Sequence, residues 1–124
     1  MTKAIEEHGG ELVLVAIGGE QLSAVTFVQD YVQLHFDGPT ITAITRPSVS
    51  EGPSTSEFGS QGYRDRLCGL IGKRVTRAYV RLGDRLQVDF GEQVSLVVSL
   101  RPDAYRAAEA AVFSDGKTEQ WASW

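Results

Sequence analysis

The stretch that decides the fold is "TFVQDYVQLHF", residues 26–36, which returns in altered form as "AYVRLGDRLQVDF", residues 78–90. Each version is an alternating apolar run, a turn that contains an aspartate, a second alternating run and a closing phenylalanine. Strict alternation over this length is typical of half-buried antiparallel strands. Both stretches therefore predict a β-hairpin, with Phe36 and Phe90 at equivalent positions in the core.

The similarity extends beyond the hairpins when Gly19 is set against Gly72, with one residue added in the second turn. A third strand is expected after each hairpin, and "RP" follows it in both halves, at Arg46 and Arg101. The pattern predicts two pseudo-repeats, over about 10–46 and 63–102. Chance similarity between two amphipathic hairpins remains the alternative interpretation.

Each repeat is expected to begin with a short helix. In the second repeat, Tyr63, Leu67, Leu70 and Ile71 follow helical spacing, and a glycine comes next. Residues 10–22 fit a strand or a helix equally well, but their register with the second repeat favours a helix. The predicted fold class is α+β, a pseudo-duplicated helix plus three-stranded meander. It would form a curved antiparallel sheet or partly open barrel with two short helices.

The 124 residues are expected to form a single domain, 1–124. Residues 46–62 are rich in Gly, Pro and Ser and predict a linker or a lid, tied down by Phe58. An Asp-Gly pair predicts a terminal hairpin over 108–124. The predicted core residues, all apolar, are Leu14, Ile17, Leu22, Val25, Phe27, Val32, Leu34, Phe36, Leu67, Leu70, Ile71, Val75, Val80, Leu86, Val88, Phe90, Val94, Leu96 and Val98.

Composition narrows the classes of function. The net charge of −4 argues against general nucleic-acid binding, although residues 64–85 carry +5 and the remainder −9. No apolar run reaches the roughly 20 residues of a membrane-spanning helix. A single cysteine excludes an internal disulfide and indicates a reducing compartment, so a cytoplasmic location is expected.

A basic strand is the first candidate binding surface. Lys73, Arg77, Tyr79 and Arg81 alternate onto one face of a predicted strand. Three cations beside a tyrosine suit an anionic ligand or an acidic protein partner. The alternative is a solvated outer face that binds nothing.

The C-terminal "WASW" is the second candidate surface. On a strand, Trp121 and Trp124 would point to opposite faces, so that one closes the core and the other is exposed. An exposed tryptophan on a terminal strand suits an interface, and self-association as a homodimer is one expectation.

Catalytic and metal sites find little support. Cys68 is expected to be a buried small hydrophobic residue rather than a nucleophile. His35 and Asp37 are expected to be solvated rather than to bind a cation. An enzyme would need a site assembled in space, for which Asp30, Tyr31 and His35 are the candidates. No catalytic residue, metal ligand or cofactor is predicted.

The stretches "VTFVQDYVQLHFDGP" (25–39), "GYRDRLCGLIGKRV" (62–75) and "YRAAEAAVF" (105–113) resemble small bacterial proteins of unassigned function. That resemblance implies no activity and no cofactor. The expected function is a non-enzymatic protein-interaction or binding module. The alternatives are a small-molecule binder, with an anionic ligand in a pocket between helix and sheet, and an enzyme with a spatially assembled site.

Overall fold

A computed structural model describes residues 4–116 and 121–124 of the chain. Nearly all of its regular structure is β-strand. The strands are β1 (Glu6–His8), β2 (Glu11–Val13), β3 (Ala24–Val28), β4 (Tyr31–His35), β5 (Thr40–Ala43), β6 (Ser48–Glu51), β7 (Ser54–Ser56), β8 (Arg77–Arg81), β9 (Arg85–Asp89), β10 (Val94–Ser99), β11 (Ala111–Ser114) and β12 (Trp121–Ser123). The helix α1 spans Tyr63–Cys68, and a 3-10 turn spans Pro102–Ala104.

Within the described residues the strands form two antiparallel sheets. The larger has the order β1-β2-β8-β9-β10-β6-β7, and the smaller has the order β12-β11-β5-β4-β3. Apolar side chains from both sheets enter one hydrophobic cluster, because alternate residues of each strand face inward. The largest fully buried side chains of that cluster include Phe36, Phe113, Leu14, Ile17, Leu22 and Leu34.

The chain exchanges strands between the sheets. The meander β3-β4-β5 belongs to the smaller sheet, but β6 crosses over to pair with β10 of the larger one. Conversely, β8-β9-β10 belongs to the larger sheet, and β11 crosses back to pair with β5. The two crossovers have the same register. In one, the first residue of β5, Thr40, lies opposite the last residue of β11, Ser114. In the other, the first residue of β10, Val94, lies opposite the last residue of β6, Glu51.

A short antiparallel contact joins the two halves near their start. The Gly19 N–H donates to the Val75 carbonyl at 2.9 Å, and the Gly72 N–H donates to the Leu22 carbonyl at 2.7 Å. These are the same bond with the halves exchanged. The two halves therefore meet along a local two-fold arrangement; a common origin by duplication stays a prediction.

The predicted α+β fold class is wrong, because residues 4–116 and 121–124 form two β-sheets and only one short helix. No helix forms in residues 10–22; Glu11–Val13 form β2, which follows a tight turn at Gly9-Gly10 with φ of 57° and 83°. Positive φ at two successive residues suits a two-residue hairpin turn. The segment "ELV" then pairs with β8, so tertiary pairing overrides the weak local pattern. No helix in the described part is long and apolar enough to cross a membrane.

Residues 46–62, predicted as a linker or lid, contain β6 and β7. Val49 is 1% exposed and belongs to the core, while the serines beside it face outward. Gly52 turns the chain with φ of 57° between the two strands. At the C-terminal end, where a hairpin over 108–124 was predicted, β11 pairs with β12, and residues 117–120 between them lie outside the described residues.

Most of the predicted core is buried, but four positions differ. Ile71 is 45% exposed because it lies in the turn after α1, and Phe27 is 38% exposed on β3. Val25 and Val94 are half-buried. Buried residues that the sequence did not indicate include Ile41, Ala43, Val49, Tyr63, Tyr79 and Phe113.

Candidate functional site

The predicted basic strand becomes a cluster that we call the arginine face. It consists of Glu11, Arg77, Tyr79, Arg81 and Arg85 on the outer side of the larger sheet. The intervening residues of β8 point into the core, so alternation brings the arginines and the tyrosine outward together.

The charges of the arginine face are largely paired within it. The Glu11 carboxylate accepts hydrogen bonds from Arg77 and, at 2.6 Å, from Arg81. The hydrogen bond from Arg81 lowers the pKa of the Glu11 carboxyl against the opposing effect of desolvation, and the charge of Arg77 lowers it further. Arg85 in turn donates to Asp84. The surface is therefore an ion-pair network rather than an open cationic patch.

Tyr79 lies beneath these arginines and is only 4% exposed. The guanidinium carbons of Arg77, Arg85 and Arg81 lie 4.2, 5.6 and 6.0 Å from its ring centroid. Arg85 also donates to the Tyr79 hydroxyl at 2.9 Å. A tyrosine ring covered by cations attracts them through its π-face, which gives the cluster a structural role of its own.

Lys73 does not join the arginine face. It precedes β8 and lies in the segment that pairs with residues 19–22, where its carbonyl accepts from the Leu22 N–H at 3.0 Å. Strict alternation would put Val75 and Tyr79 on the same face, but Val75 is buried in the core and Tyr79 lies on the outer face. The alternation expected from Lys73 to Arg81 is therefore interrupted at Thr76.

The two tryptophans differ in their surroundings. Trp121 is 68% exposed on β12, at the edge of the smaller sheet. Trp124 is half-buried and packs against the core, and its carbonyl accepts from the Ala110 N–H at 2.5 Å. Trp124 thus fastens the end of the chain, and Trp121 is the exposed member of the pair.

The remaining candidates from the sequence are dispersed. Cys68 is exposed, so the prediction of a buried cysteine is wrong. His35 Nε2 lies 3.0 Å from the Thr26 hydroxyl. Tyr31 and His35 stand at opposite ends of β4, about 13 Å apart along a strand of that length, and Asp30 lies in the turn before Tyr31. Among the described residues, no group of three or more His, Cys, Asp and Glu side chains could hold a metal ion.

The structure also brings together residues that the sequence did not nominate as a site. They line a surface groove of about 450 Å³ beside the tip of the β3–β4 hairpin and the start of α1. We call it the aromatic groove; its principal residues are Phe27, Val28, Arg46, Phe58, Tyr63 and Arg64.

Tyr63 holds the aromatic groove in place from below. It is 4% exposed, and its hydroxyl donates to the Pro47 carbonyl at 2.5 Å, which ties α1 to the start of β6. Its ring meets Phe58 edge to face, with centroids 5.9 Å apart. Burial raises the pKa of Tyr63 to about 12, partly offset by the charge of Arg46.

Two arginines lie over the exposed rings of the groove. The guanidinium carbon of Arg46 lies 4.9 Å from the ring centroid of Phe58, and that of Arg64 lies 5.7 Å from the ring centroid of Phe27. Phe58 is 54% exposed. Neither arginine forms an ion pair with a carboxylate within residues 4–116 and 121–124. The groove can therefore accept an apolar group and an anion side by side.

Sequence reasoning missed this groove because its residues are distant in the chain. Arg46 and Phe58 lie in the predicted linker, residues 46–62, whereas Phe27 is a predicted core residue. The one available signal was a single phenylalanine in a segment otherwise made of small and polar residues.

Comparison with known proteins identifies no similar protein. No protein-family model matches the chain, and neither the curated proteins nor the solved structures contain a significant match. The resemblance to small bacterial proteins therefore stays a prediction.

Proposed function

We propose that the chain is a non-enzymatic protein-interaction module of the cytoplasm that binds its partner through the aromatic groove. The observation that supports this is the pairing of exposed Phe27 and Phe58 with Arg64 and Arg46, whose charges have no carboxylate partner in the described residues. Exposed aromatic and arginine side chains are enriched among the residues that dominate binding energy at protein interfaces.

The arginine face supports binding less well than the groove does. Glu11 already neutralises Arg77 and Arg81, so an acidic partner would have to displace an existing hydrogen-bonded carboxylate. The surface predicted from Lys73, Arg77, Tyr79 and Arg81 thus stays a second proposal. A partner there would be lost on reversal of Arg77 and Arg81 to glutamate.

Charge reversal in the groove tests the proposal. We expect Arg46→Glu and Arg64→Glu each to weaken binding of an acidic, leucine-containing peptide at least about tenfold, which corresponds to about 1.4 kcal/mol. Arg101→Glu is the matched control, because Arg101 precedes a proline as Arg46 does but lies after β10, near Asp84. Fluorescence anisotropy measures the affinities. Equal affinity of all three variants would refute the groove as the binding surface.

A small anionic molecule is the second candidate ligand, and the volume of the groove favours it. About 450 Å³ is within the range of ligand sites, and Arg46 and Arg64 supply the positive charge. A thermal-shift screen of anionic metabolites separates this case, because a ligand at 100 times its Kd adds about 2.7 kcal/mol of stability. Stabilisation by such a molecule that is lost in Arg46→Glu would replace the peptide as the ligand.

Self-association through β12 is proposed on the exposure of Trp121. A terminal edge strand with an exposed tryptophan can pair with the same strand of a second copy. Light scattering of the protein and of Trp121→Ser tests it. A monomer mass for both proteins across the concentration range would reject the dimer.

A further inference from the structure

The larger sheet shows how an edge strand of this fold takes a neighbour. β2 adds antiparallel to the outer edge of β8, with Leu12 opposite Val80. The Leu14 N–H donates to the Ala78 carbonyl at 2.8 Å. Val80, which lies opposite Leu12, is completely buried in the core. β2 is only three residues long and nevertheless pairs with this edge.

β3 occupies the same place in the smaller sheet as β8 does in the larger one. Both are the first strand of a three-stranded meander, and both are entered through the same local hydrogen bond. The Ser23 N–H donates to the His35 carbonyl at 2.7 Å, and the Thr76 N–H donates to the Asp89 carbonyl at 2.8 Å. Yet β3 pairs only with β4, and no other described strand lies beside it.

In the second half of the chain, α1 takes the position in the sequence that β2 takes in the first half, and it contacts β3 without pairing with its edge. Leu67 of α1 is completely buried, like Leu14 after β2, so the same apolar anchor is kept. A helix, however, cannot form a ladder with a strand edge. Phe27, the counterpart of Val80, consequently stays 38% exposed.

The free edge of β3 carries hydrogen-bonding groups. Val28 and Tyr31 flank a two-residue turn and pair directly, so the backbone groups of Val28 and Thr26 point to β4. Those of Val25 and Phe27 then point away from β4, because successive residues of a strand alternate. Neither has a backbone bond to another segment among the described residues.

We propose that β3 receives an extended, acidic segment of a protein partner by antiparallel strand addition, which rests on the proposed function and specifies its mode of binding. An apolar side chain of the partner lies opposite Phe27, as Leu12 lies opposite Val80. An acidic side chain two positions earlier lies opposite Gln29, whose carbonyl accepts from Arg46. Strand addition supplies main-chain bonds, and alternate side chains supply specificity.

Charge selects a partner segment over a second copy of this chain. β3 itself, "AVTFV", carries no charge, so pairing with its own copy would leave Arg46 and Arg64 uncompensated. An acidic side chain would pair with them, as Glu11 pairs with the arginines of β8. Self-pairing is therefore one of the outcomes that the test must detect.

The first experiment uses an acetylated and amidated nine-residue peptide, mainly threonine, with one glutamate two positions before a leucine. Two N-methylated versions are compared with it by fluorescence anisotropy. Methylation of the leucine nitrogen removes the N–H that faces β3, and we expect affinity to fall at least about tenfold. Methylation of the next nitrogen, which faces away from β3, should change affinity by less than about twofold.

The second experiment reads the protein side by NMR amide exchange of the intact chain. On saturation with the unmodified peptide, the exchange of the Val25 and Phe27 amides should slow at least about tenfold. The Thr26 amide already bonds to β4 and should change little, which makes it the internal control.

The outcomes separate the two proposals. Binding that depends on Arg46 and Arg64, but with unchanged exchange at Val25 and Phe27 and equal affinity of both methylated peptides, overturns strand addition and leaves the interaction module standing. No binding of the peptide overturns both. Protection of Val25 and Phe27 without peptide, together with a dimer mass by light scattering, identifies a second copy as the occupant and overturns the acidic partner.

Discussion

Replacing Tyr63 by phenylalanine isolates one hydrogen bond that fastens the aromatic groove. The ring and its edge-to-face contact with Phe58 remain, but the Pro47 carbonyl loses the hydroxyl that donates to it at 2.5 Å. A neutral hydrogen bond contributes about 1 kcal/mol, and leaving a buried carbonyl unsatisfied adds to the loss. Since Tyr63 is 4% exposed, we expect Tyr63→Phe to lower the free energy of unfolding by about 2 kcal/mol.

The pH dependence of stability provides a second measurement on the same variant. Burial raises the pKa of Tyr63 from 10.0 to about 12. A raised pKa means that the folded protein holds the proton longer than the unfolded chain does. The resulting stability is fully present below pH 10 and is lost as pH rises from 10 through 12. The difference between the two proteins should therefore shrink across this window.

Urea denaturation at several pH values is the assay. Tyr31→Phe is the matched control, because Tyr31 is half-buried on β4 and its hydroxyl has no hydrogen bond to a described side chain. With a slope of about 1–2 kcal/mol per molar urea, the midpoint of Tyr63→Phe should fall by about 1 M or more. A shift no larger than that of Tyr31→Phe, with a parallel alkaline profile, would refute the reasoning.

Three further predictions concern the arginine face, the core and one turn. Glu11→Gln should abolish an acid-dependent loss of stability. The lowered pKa of Glu11 gives stability above pH 4.5, and this stability disappears as pH falls through the pKa of Glu11 in the folded protein. Melting curves of both proteins from pH 2 to 6 measure the loss. Phe113→Ala should cost about 3–5 kcal/mol, whereas Phe27→Ala, at 38% exposure, should cost less than about 2 kcal/mol; similar costs in urea denaturation would contradict the burial. Gly116→Ala should lower the free energy of unfolding more than Gly83→Ala does. A Cβ at position 116 would overlap the Gly38 carbonyl, whereas a Cβ at position 83 meets open space, so that Gly83→Ala bears only a backbone cost of about 1–2 kcal/mol. Equal melting temperatures of the two glycine variants would show that the Gly38 contact yields freely.

The hairpins were predictable because their signal is local. Alternation over 26–36 and 78–90 requires only neighbouring residues, and the structure confirms both hairpins, with Phe36 and Phe90 buried. The Ser-rich residues 46–62 form strands for a different reason. Their pairing with β10 provides the stability that composition alone does not indicate.

The first predicted helix failed because its outcome depends on a distant strand. Residues 10–15 and 63–68 hold corresponding positions, yet one contributes β2 and the other is α1. At the first, Glu11 meets Arg77 and Arg81 across the edge of β8, a match that no local pattern shows. The aromatic groove was beyond prediction for the same reason, since it unites side chains from four separate segments.

The strand exchange between the sheets makes the two halves of the chain depend on each other for folding. Neither half of the chain contains all the strands of one sheet. The strands β6 and β7 of the first half complete the larger sheet, and β11 and β12 of the second half complete the smaller one. A cut in the loop between β7 and α1 would produce two interdependent fragments rather than two miniature proteins. The fragments would have to associate before either could become compact. Their reassembly would therefore follow second-order kinetics.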